Sequence, residues 1–254
     1  MDSVKVQALE RAFDILELLS REQHGLSLTE IGNRLDLHKS TVYRLLYVLK
    51  QRGYIEKGDH GDYRLGLEFI ELASLHLNNL ELKTEAQPVL RELSGKTGNT
   101  VFLATLQEAQ VVYIDKMETF NSLRKYSIIG QRAPLYCTAL GKAMLSGMSA
   151  LQIRQLFEGK PLSSVTARTI VDLDSLLGEI DKTRKRGWSI DDEEYEQGVR
   201  CIGAPIRDYR QQVIAAVSTS GSISMIPRKR VEEIAGFVAA AAADISRRMG
   251  YRDK

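Results

Sequence analysis

In the stretch from Gly25 to Lys57, GLSLTEIGNRLDLHKSTVYRLLYVLKQRGYIEK, apolar positions recur at helical spacing twice, on either side of a short break. Leu28, Ile31 and Leu35 form the first stripe. Ser27, with Glu30 three residues later, is the capping-box pattern that opens a helix there. Asp36-Leu37-His38 has room only for a turn, the spacing of a helix-turn-helix. Val42, Leu45, Leu46 and Leu49 then fall at i, i+3, i+4 and i+7, which predicts a helix from about Lys39 to Arg52, stopped by Gly53. Its outer face carries Ser40, Arg44, Tyr47 and Gln51, flanked by Lys39, Tyr43 and Lys50. Any amphipathic helix pair could give this pattern. Here Tyr54–Lys57 and Tyr63–Leu65 follow as a hairpin around a Gly/Asp turn, and helix, turn, helix, hairpin is a winged helix.

A recognition helix reads bases with its N-terminal residues and contacts phosphate around them. Lys39, Ser40, Tyr43 and Arg44 are the expected readers, and Thr29 the expected phosphate donor. Ser27, His38 and Thr41 complete the expected DNA-binding set.

Upstream, residues 7–19 predict a helix with Leu9, Ala12, Phe13, Leu16 and Leu19 facing the core. Leu67 to Leu82 is helical and apolar around most of its circumference, so it must be buried on more than one side. Either it is a linker helix packed on its own domain and on a partner subunit, or it is a core helix within one domain. A helix then spans Thr84 to Gly98, with Pro88 in its first turns. Thr100–Leu106 and Val111–Met117 read as strands joined at Gln107–Gln110, and Leu123–Ser127 as a further strand. A helix over Ala139–Ser146 follows the extended Leu135-Tyr136-Cys137, and another covers Asp174–Arg186. The basic run at that helix's end sits before Gly187, where cations favour the helix dipole, and is not a DNA patch. Ile202–Arg207 and Gln212–Ser218 form a hairpin, and a helix from Arg228 to Met249 closes the chain with Val231, Ile234, Val238, Ala241 and Ile245 as its buried stripe. The fold class is α+β: a winged helix-turn-helix over residues 1–66, a linker helix over 67–82, and a domain over 83–254 with an antiparallel sheet flanked by helices.

Composition narrows the function. The 254 residues, 43% hydrophobic and 27% charged, are those of an ordinary globular protein of two domains. Net charge is +2, and the first 66 residues balance ten basic against ten acidic side chains, so the positive charge is local to the second helix of the pair. No apolar run is long enough for a membrane span, and Met1 to Gln7 lacks a signal-peptide design. Cys137 and Cys201 form no CxxC, and a reduced cytoplasm is the expected setting. All four histidines lie in the first 76 residues, which leaves the larger domain without a Ser-His or Cys-His pair or a His-based zinc site. No cofactor, metal or enzymatic activity is expected.

Three polar segments stand out in the larger domain. Thr138-Ala139-Leu140-Gly141-Lys142 places small residues at a helix start, where free N–H groups favour anions. Asp191 to Glu196 holds five acids, which as exposed charge would be only a solvated loop. Ser218 to Ser222 ends an otherwise apolar strand in hydroxyls, with Ser218 and Ser220 on one face, although such clusters also mark turns.

KSTVYRLLYVLKQRGYIEK resembles the DNA-binding domain of the IclR family of bacterial transcriptional regulators. TALGKAML at 138–145, DDEEYEQGVRCIGAPI at 191–206 and AAVSTSG at 215–221 extend the resemblance over essentially the whole chain. His38 stands where relatives often carry a small residue or proline. The resemblance implies a GAF-like effector domain that binds small carboxylates. The matching positions are Ala139, Leu140, Gly141, Asp191, Cys201, Ser218 and Ser220, with Arg124 and Tyr126 on the far side of the ligand. By that resemblance the backbone at 139–141 and the two serines hold the carboxylate. Asp191 accepts from a ligand hydroxyl, and Cys201 is a pocket wall. NSLRKYSIIGQRAPLY and DDEEYEQGVRCI are similar to regulators of sugar-acid catabolism of the 2-keto-3-deoxygluconate type. The implied protein is a homodimer, or a dimer of dimers, on a pseudo-palindromic double-stranded operator, and a repressor released by a small organic acid. The competing classes are an enzyme or metabolite-binding protein using Cys201, whose small domain docks to protein, and a pure interaction scaffold.

Overall fold

The computed structural model describes residues 6–22, 24–72, 81–118 and 129–252, in two compact units, Met1–Asn79 and Leu80–Lys254. The strand expected at Leu123–Ser127, the candidates Arg124 and Tyr126, and most of the expected linker helix lie outside the described residues. Within 67–82 the described part is helical from 68 to 72 and again from 81.

In the first unit, α1 (Gln7–Ser20), α2 (Leu28–Leu35) and α3 (Lys39–Gln51) pack around Ile15, Leu19, Ile31, Val42 and Leu46. Leu9 and Phe13, expected in that core, are 54% and 55% exposed. The helix carries two apolar faces, and the one through Ile15 and Leu19 is the one the core covers. Ser27 caps α2 with the full reciprocal box, its hydroxyl accepting from Glu30 N–H and its own N–H donating to the Glu30 carboxylate at 2.9 Å. Asp36, left-handed at φ 52°, ends α2 and turns the chain into α3. The strands β1 (Ile55–Lys57) and β2 (Tyr63–Leu65) pair antiparallel, and Leu26 bridges to Tyr63, tying the hairpin to the entry of α2.

The second unit has three layers. Its six-stranded antiparallel sheet has the order β5-β4-β3-β8-β7-β6, built from β3 (Thr100–Gln107), β4 (Gln110–Met117), β5 (Arg132–Pro134), β6 (Ser189–Asp192), β7 (Val199–Arg207) and β8 (Val213–Ser222). The helices α4 (Glu81–Thr97) and α8 (Val231–Arg248) cover one face over Leu90, Leu103, Ile202, Val217 and Ile234. The other face carries α5 (Ala139–Leu145), with α6 (Ala150–Leu156) and α7 (Leu173–Arg186) packed into the same cluster. β5, β6 and α6 were not expected, because each is too short to show a period. α8 begins only at Val231, after a 3-10 turn over Arg228–Arg230, and α4 is already helical at Glu81, ahead of the expected start at Thr84, so Pro88 sits in its interior. The β3–β4 turn places Glu108 and Ala109 at φ 49° and 64°, a two-residue turn whose twist suits the strands although neither residue is a usual choice for it. The basic end of α7 is structural, as expected: Arg184 Nε donates to Ser146 O at 3.0 Å, and Arg186 stacks on Trp188.

Two glycines let α5 sit directly on the sheet and on the strand before it. A Cβ on Gly141 would lie 2.2 Å from Leu135 O, and one on Gly203 would lie 2.9 Å from Ala139 O. Gly141→Ala should therefore destabilise the second unit by about 2–3 kcal/mol, since backbone must move to admit one methyl. Urea unfolding reads this directly, and an unchanged midpoint would mean that α5 does not sit this close.

Candidate functional site

On the first unit, α3 turns Lys39, Ser40, Tyr43 and Arg44 outward, all exposed, while Val42, Leu46 and Leu49 hold it to the core. Thr29 is exposed at the start of α2, Ser27 and Thr41 are partly covered, and His38 is exposed at the N-cap of α3 without a capping hydrogen bond. Thus α3 lacks a side-chain cap and has no acid in its first turn, which leaves its positive end uncompensated. Arg44 makes only a 3.4 Å contact to the Ser40 carbonyl, so its guanidinium is available to a partner. The eight expected DNA-binding residues cluster at the two helix starts; which of them touch DNA is a matter for the proposal below.

On the second unit, the strand register builds the site. Asp191, Cys201, Ser220 and Thr100 are successive cross-strand neighbours on β6, β7, β8 and β3, so their side chains share one face. Ser189, Gly203, Ser218 and Phe102 form the adjacent row. The first turn of α5 lies over Gly203, fixed by the Ser189 hydroxyl donating to Ala139 O at 2.6 Å. Between the helix start and the first row is a cavity with about 910 Å³ of atom-free space, its open mouth included. Ala139, Leu140, Asp191, Cys201, Ser218 and Ser220 all line it; Gly141 does not. The Gly141 N–H is taken by the Thr138 hydroxyl at 3.1 Å, and Gly141 is needed for packing instead. The N–H groups of Ala139 and Leu140 have no acceptor among the described residues.

Sequence reasoning missed several residues here. Phe102 and Tyr113 form one wall, their rings edge to face with centroids 5.3 Å apart. Asn99 also lines it, with its Oδ1 buried and without a partner among the described residues. Tyr195 and Glu196 contribute from the loop after β6. Long-range register alone brings Asn99, Phe102 and Tyr113 to this place.

The acids of residues 191–196 are not a solvated loop. Asp191 Oδ1 accepts from the N–H groups of Glu194 and Tyr195, at 2.7 and 3.2 Å. Asp192 binds Arg200 and Arg228, and Glu193 accepts from Gly198 N–H and pairs with Arg168. Glu194 pairs with the ammonium of Lys142, which has no exposed surface. Thr166 and Thr169 donate to the Glu193 and Glu194 carbonyls at 2.7 Å each. The loop that covers the cavity is thus fastened on three sides.

Burial raises Asp191 to about 7 and also raises Glu194, with Lys142 opposing both shifts. One buried ammonium faces two buried carboxyls, and a proton on Asp191 balances the charge. Asp192 behaves oppositely: its own burial would raise it, but Arg200 and Arg228 hold it below the usual range. Burial pushes the Cys137 thiol up to about 12, so it is inert at neutral pH. Cys201 Sγ lies 3.1 Å from the Ser220 hydroxyl. No group of three or more potential metal ligands occurs among the described residues, and no described helix is long and apolar enough to cross a membrane.

A helix-turn-helix with an uncapped, acid-free second helix, together with a domain holding a mostly apolar cavity on which a few polar groups converge, defines the class: a ligand-responsive, DNA-binding transcriptional regulator. Family models agree. One described as the IclR helix-turn-helix domain matches residues 8–59, and one described as bacterial transcriptional regulator IclR C-terminal matches residues 74–247. The chain belongs to the IclR family. It is 38% identical over 249 residues to the HTH-type transcriptional regulator KdgR of Escherichia coli, covering 98% of this chain and 94% of that one. The transcriptional repressor IclR of Escherichia coli is 33% identical over 245 residues, with 95% and 89% covered. The crystal structure of Thermotoga maritima IclR superposes with a TM-score of 0.86 at 31% identity, covering 97% of this chain and 100% of that one.

The buried Asp191 makes a testable signature. An unfolded aspartate titrates near about 3.9. Between that value and about 7 the folded protein keeps a proton that the unfolded chain has lost, so stability falls as pH rises through this window and levels above it. Asp191→Asn keeps the acceptor for Glu194 N–H and removes the titration. Its stability relative to the parent should rise by up to about 4 kcal/mol from pH 4 to pH 8, measured by urea unfolding at each pH. Parallel pH profiles for the two proteins would count against a buried, proton-holding Asp191.

Proposed function

We propose that this regulator is a homodimeric repressor of a catabolic operon, released from its operator by a small carboxylate of the sugar-acid class. Two winged helices read two half-sites of a pseudo-palindrome on one face of the DNA. Lys39, Ser40, Tyr43 and Arg44 reach base edges, and Thr29 with Ser27, His38 and Thr41 contacts the backbone around them. A bidentate contact from Arg44 to guanine contributes about 1–3 kcal/mol of discrimination. Pairing of two dimers is compatible with the same reading.

In the second unit, the free N–H groups of Ala139 and Leu140 and the hydroxyls of Ser218 and Ser220 hold the ligand carboxylate. Asp191 meets a ligand hydroxyl, or the hydroxyl of a hydrated carbonyl, and Cys201 forms the wall between them. The observation that carries this reading is the convergence of free backbone donors, two serine hydroxyls and one buried acid on a single cavity. The likeness to KdgR in particular supports a sugar acid, and the likeness to a protein named a repressor supports the sign. For release to follow, the acid must bind one dimer geometry better than the other.

Two single substitutions separate the functions. Arg44→Ala removes one base contact from each half-site of the dimer, so specific operator binding should weaken at least about 30-fold while affinity for the acid is kept. Ser220→Ala should keep operator affinity while needing at least tenfold more acid for release. Fluorescence anisotropy on upstream DNA at fixed salt, with and without keto and sugar acids, reads both. Equal operator affinity in Arg44→Ala removes it from the readers, and unchanged release in Ser220→Ala removes the serine from the carboxylate site.

A further inference from the structure

The cavity wall carries a polar atom that nothing in the fold uses. Tyr113 stands on β4, where a bulge between Leu103 and Ala104 of β3 shifts the register. The shift pairs Tyr113 with Ala104 and leaves the tyrosine on the cavity face beside Phe102. The two rings lock each other edge to face, so the phenol has little freedom. The side chain is partly buried on the cavity wall, and its hydroxyl makes no hydrogen bond to a described residue, which leaves it open to a molecule in the cavity. Burial raises its ionisation above the ordinary tyrosine range, with Cys201, Tyr195 and Asp191 adding to the rise, and all three line the same cavity. On the same cavity, Asp191 commits Oδ1 to two backbone N–H groups, and Oδ2 has no hydrogen-bond partner among the described residues.

We infer that Tyr113 is a ligand-contacting, specificity-determining residue whose hydroxyl, together with Asp191 Oδ2, reads the hydroxylated tail of the effector while the α5 N–H groups and the serines hold its carboxylate. This rests on the acid-effector reading above. Phe102 and the Tyr113 ring supply the apolar surface against which the carbon chain of such an acid lies, and the phenol supplies a neutral donor beside it. A short acid that ends before the wall gains nothing from it, and the hydroxyl then stays unsatisfied. Discrimination against the short acid follows from that unmet hydrogen bond.

The test uses two probes that share a 2-keto acid head: pyruvate, which has no hydroxylated tail, and 2-keto-3-deoxygluconate, which has one. Binding to the full-length parent and to Tyr113→Phe is measured by calorimetry, with melting temperatures taken without ligand. The expected result is tighter binding of 2-keto-3-deoxygluconate than of pyruvate by the parent. In Tyr113→Phe the longer acid should weaken at least tenfold and pyruvate less than twofold, with an unchanged melting temperature. Equal weakening of both acids, or of neither, overturns the assignment while leaving the acid-effector reading in place. A lowered melting temperature in the variant also overturns it, because the hydroxyl would then be structural. Failure of the parent to bind either acid overturns the effector reading and the inference with it.

Discussion

A lysine ammonium with no exposed surface can be held inside a protein only by charge that cannot leave. Lys142 is that group, and Glu194 is its partner. Lys142 lies one turn into α5, behind the two N–H groups that face the cavity, and Glu194 lies three residues after Asp191 at the exit of β6. The pair therefore fastens together the two elements that supply the polar groups of the site. Removing either member would leave a charge buried and unpaired, a loss of about 3–5 kcal/mol in comparable cases. The second carboxyl, Asp191, completes the local balance by keeping its proton near neutrality. Burial sets the protonation of Asp191, and the Lys142 ammonium that holds the loop opposes that rise.

Close approach makes this pairing possible. Gly203 in β7 and Gly141 in α5 remove the Cβ atoms that would hold helix and sheet apart, and Ser189 ties the helix start down. The glycine at 141 is consequently a packing residue, while Ala139 and Leu140 keep the free donors. A segment of small residues can divide its labour in this way between steric permission and chemistry.

The first unit works by placement of charge. Its basic and acidic side chains cancel over the first 66 residues, yet α3 begins with Lys39, Ser40 and Arg44 exposed and with no acid in its first turn. Attraction to DNA from such a unit is short-ranged and depends on register, which favours discrimination between sites over general adhesion to the polymer. Tyr43, more than half exposed on the same face, adds a contact surface that packing does not require.

Local patterns were enough for the elements whose physics is local. The α2 capping box, the three-residue turn, the stripe on α3 and the helical period of α8 are interactions between residues a few positions apart, and the structure shows them where the pattern put them. The α+β class followed from the same periodicities. Local reading failed where a partner far along the chain decides. Leu9 and Phe13 looked buried because they are apolar at helical spacing, but only one face of α1 meets the core. The acids after Asp191 looked solvated because their partners, Lys142, Arg168, Arg200 and Arg228, lie at distant points in the sequence. Tyr113 and Asn99 carried no signal at all, since nothing near them in the chain marks a site. The chain alone determined most of the helices and which strand residues share a face, because each follows from backbone geometry within a few residues. The tertiary structure decided which rows become neighbours, which charges are buried and which hydroxyl is left without a partner, because register across six strands and the dielectric inside the fold depend on contacts that no local pattern encodes.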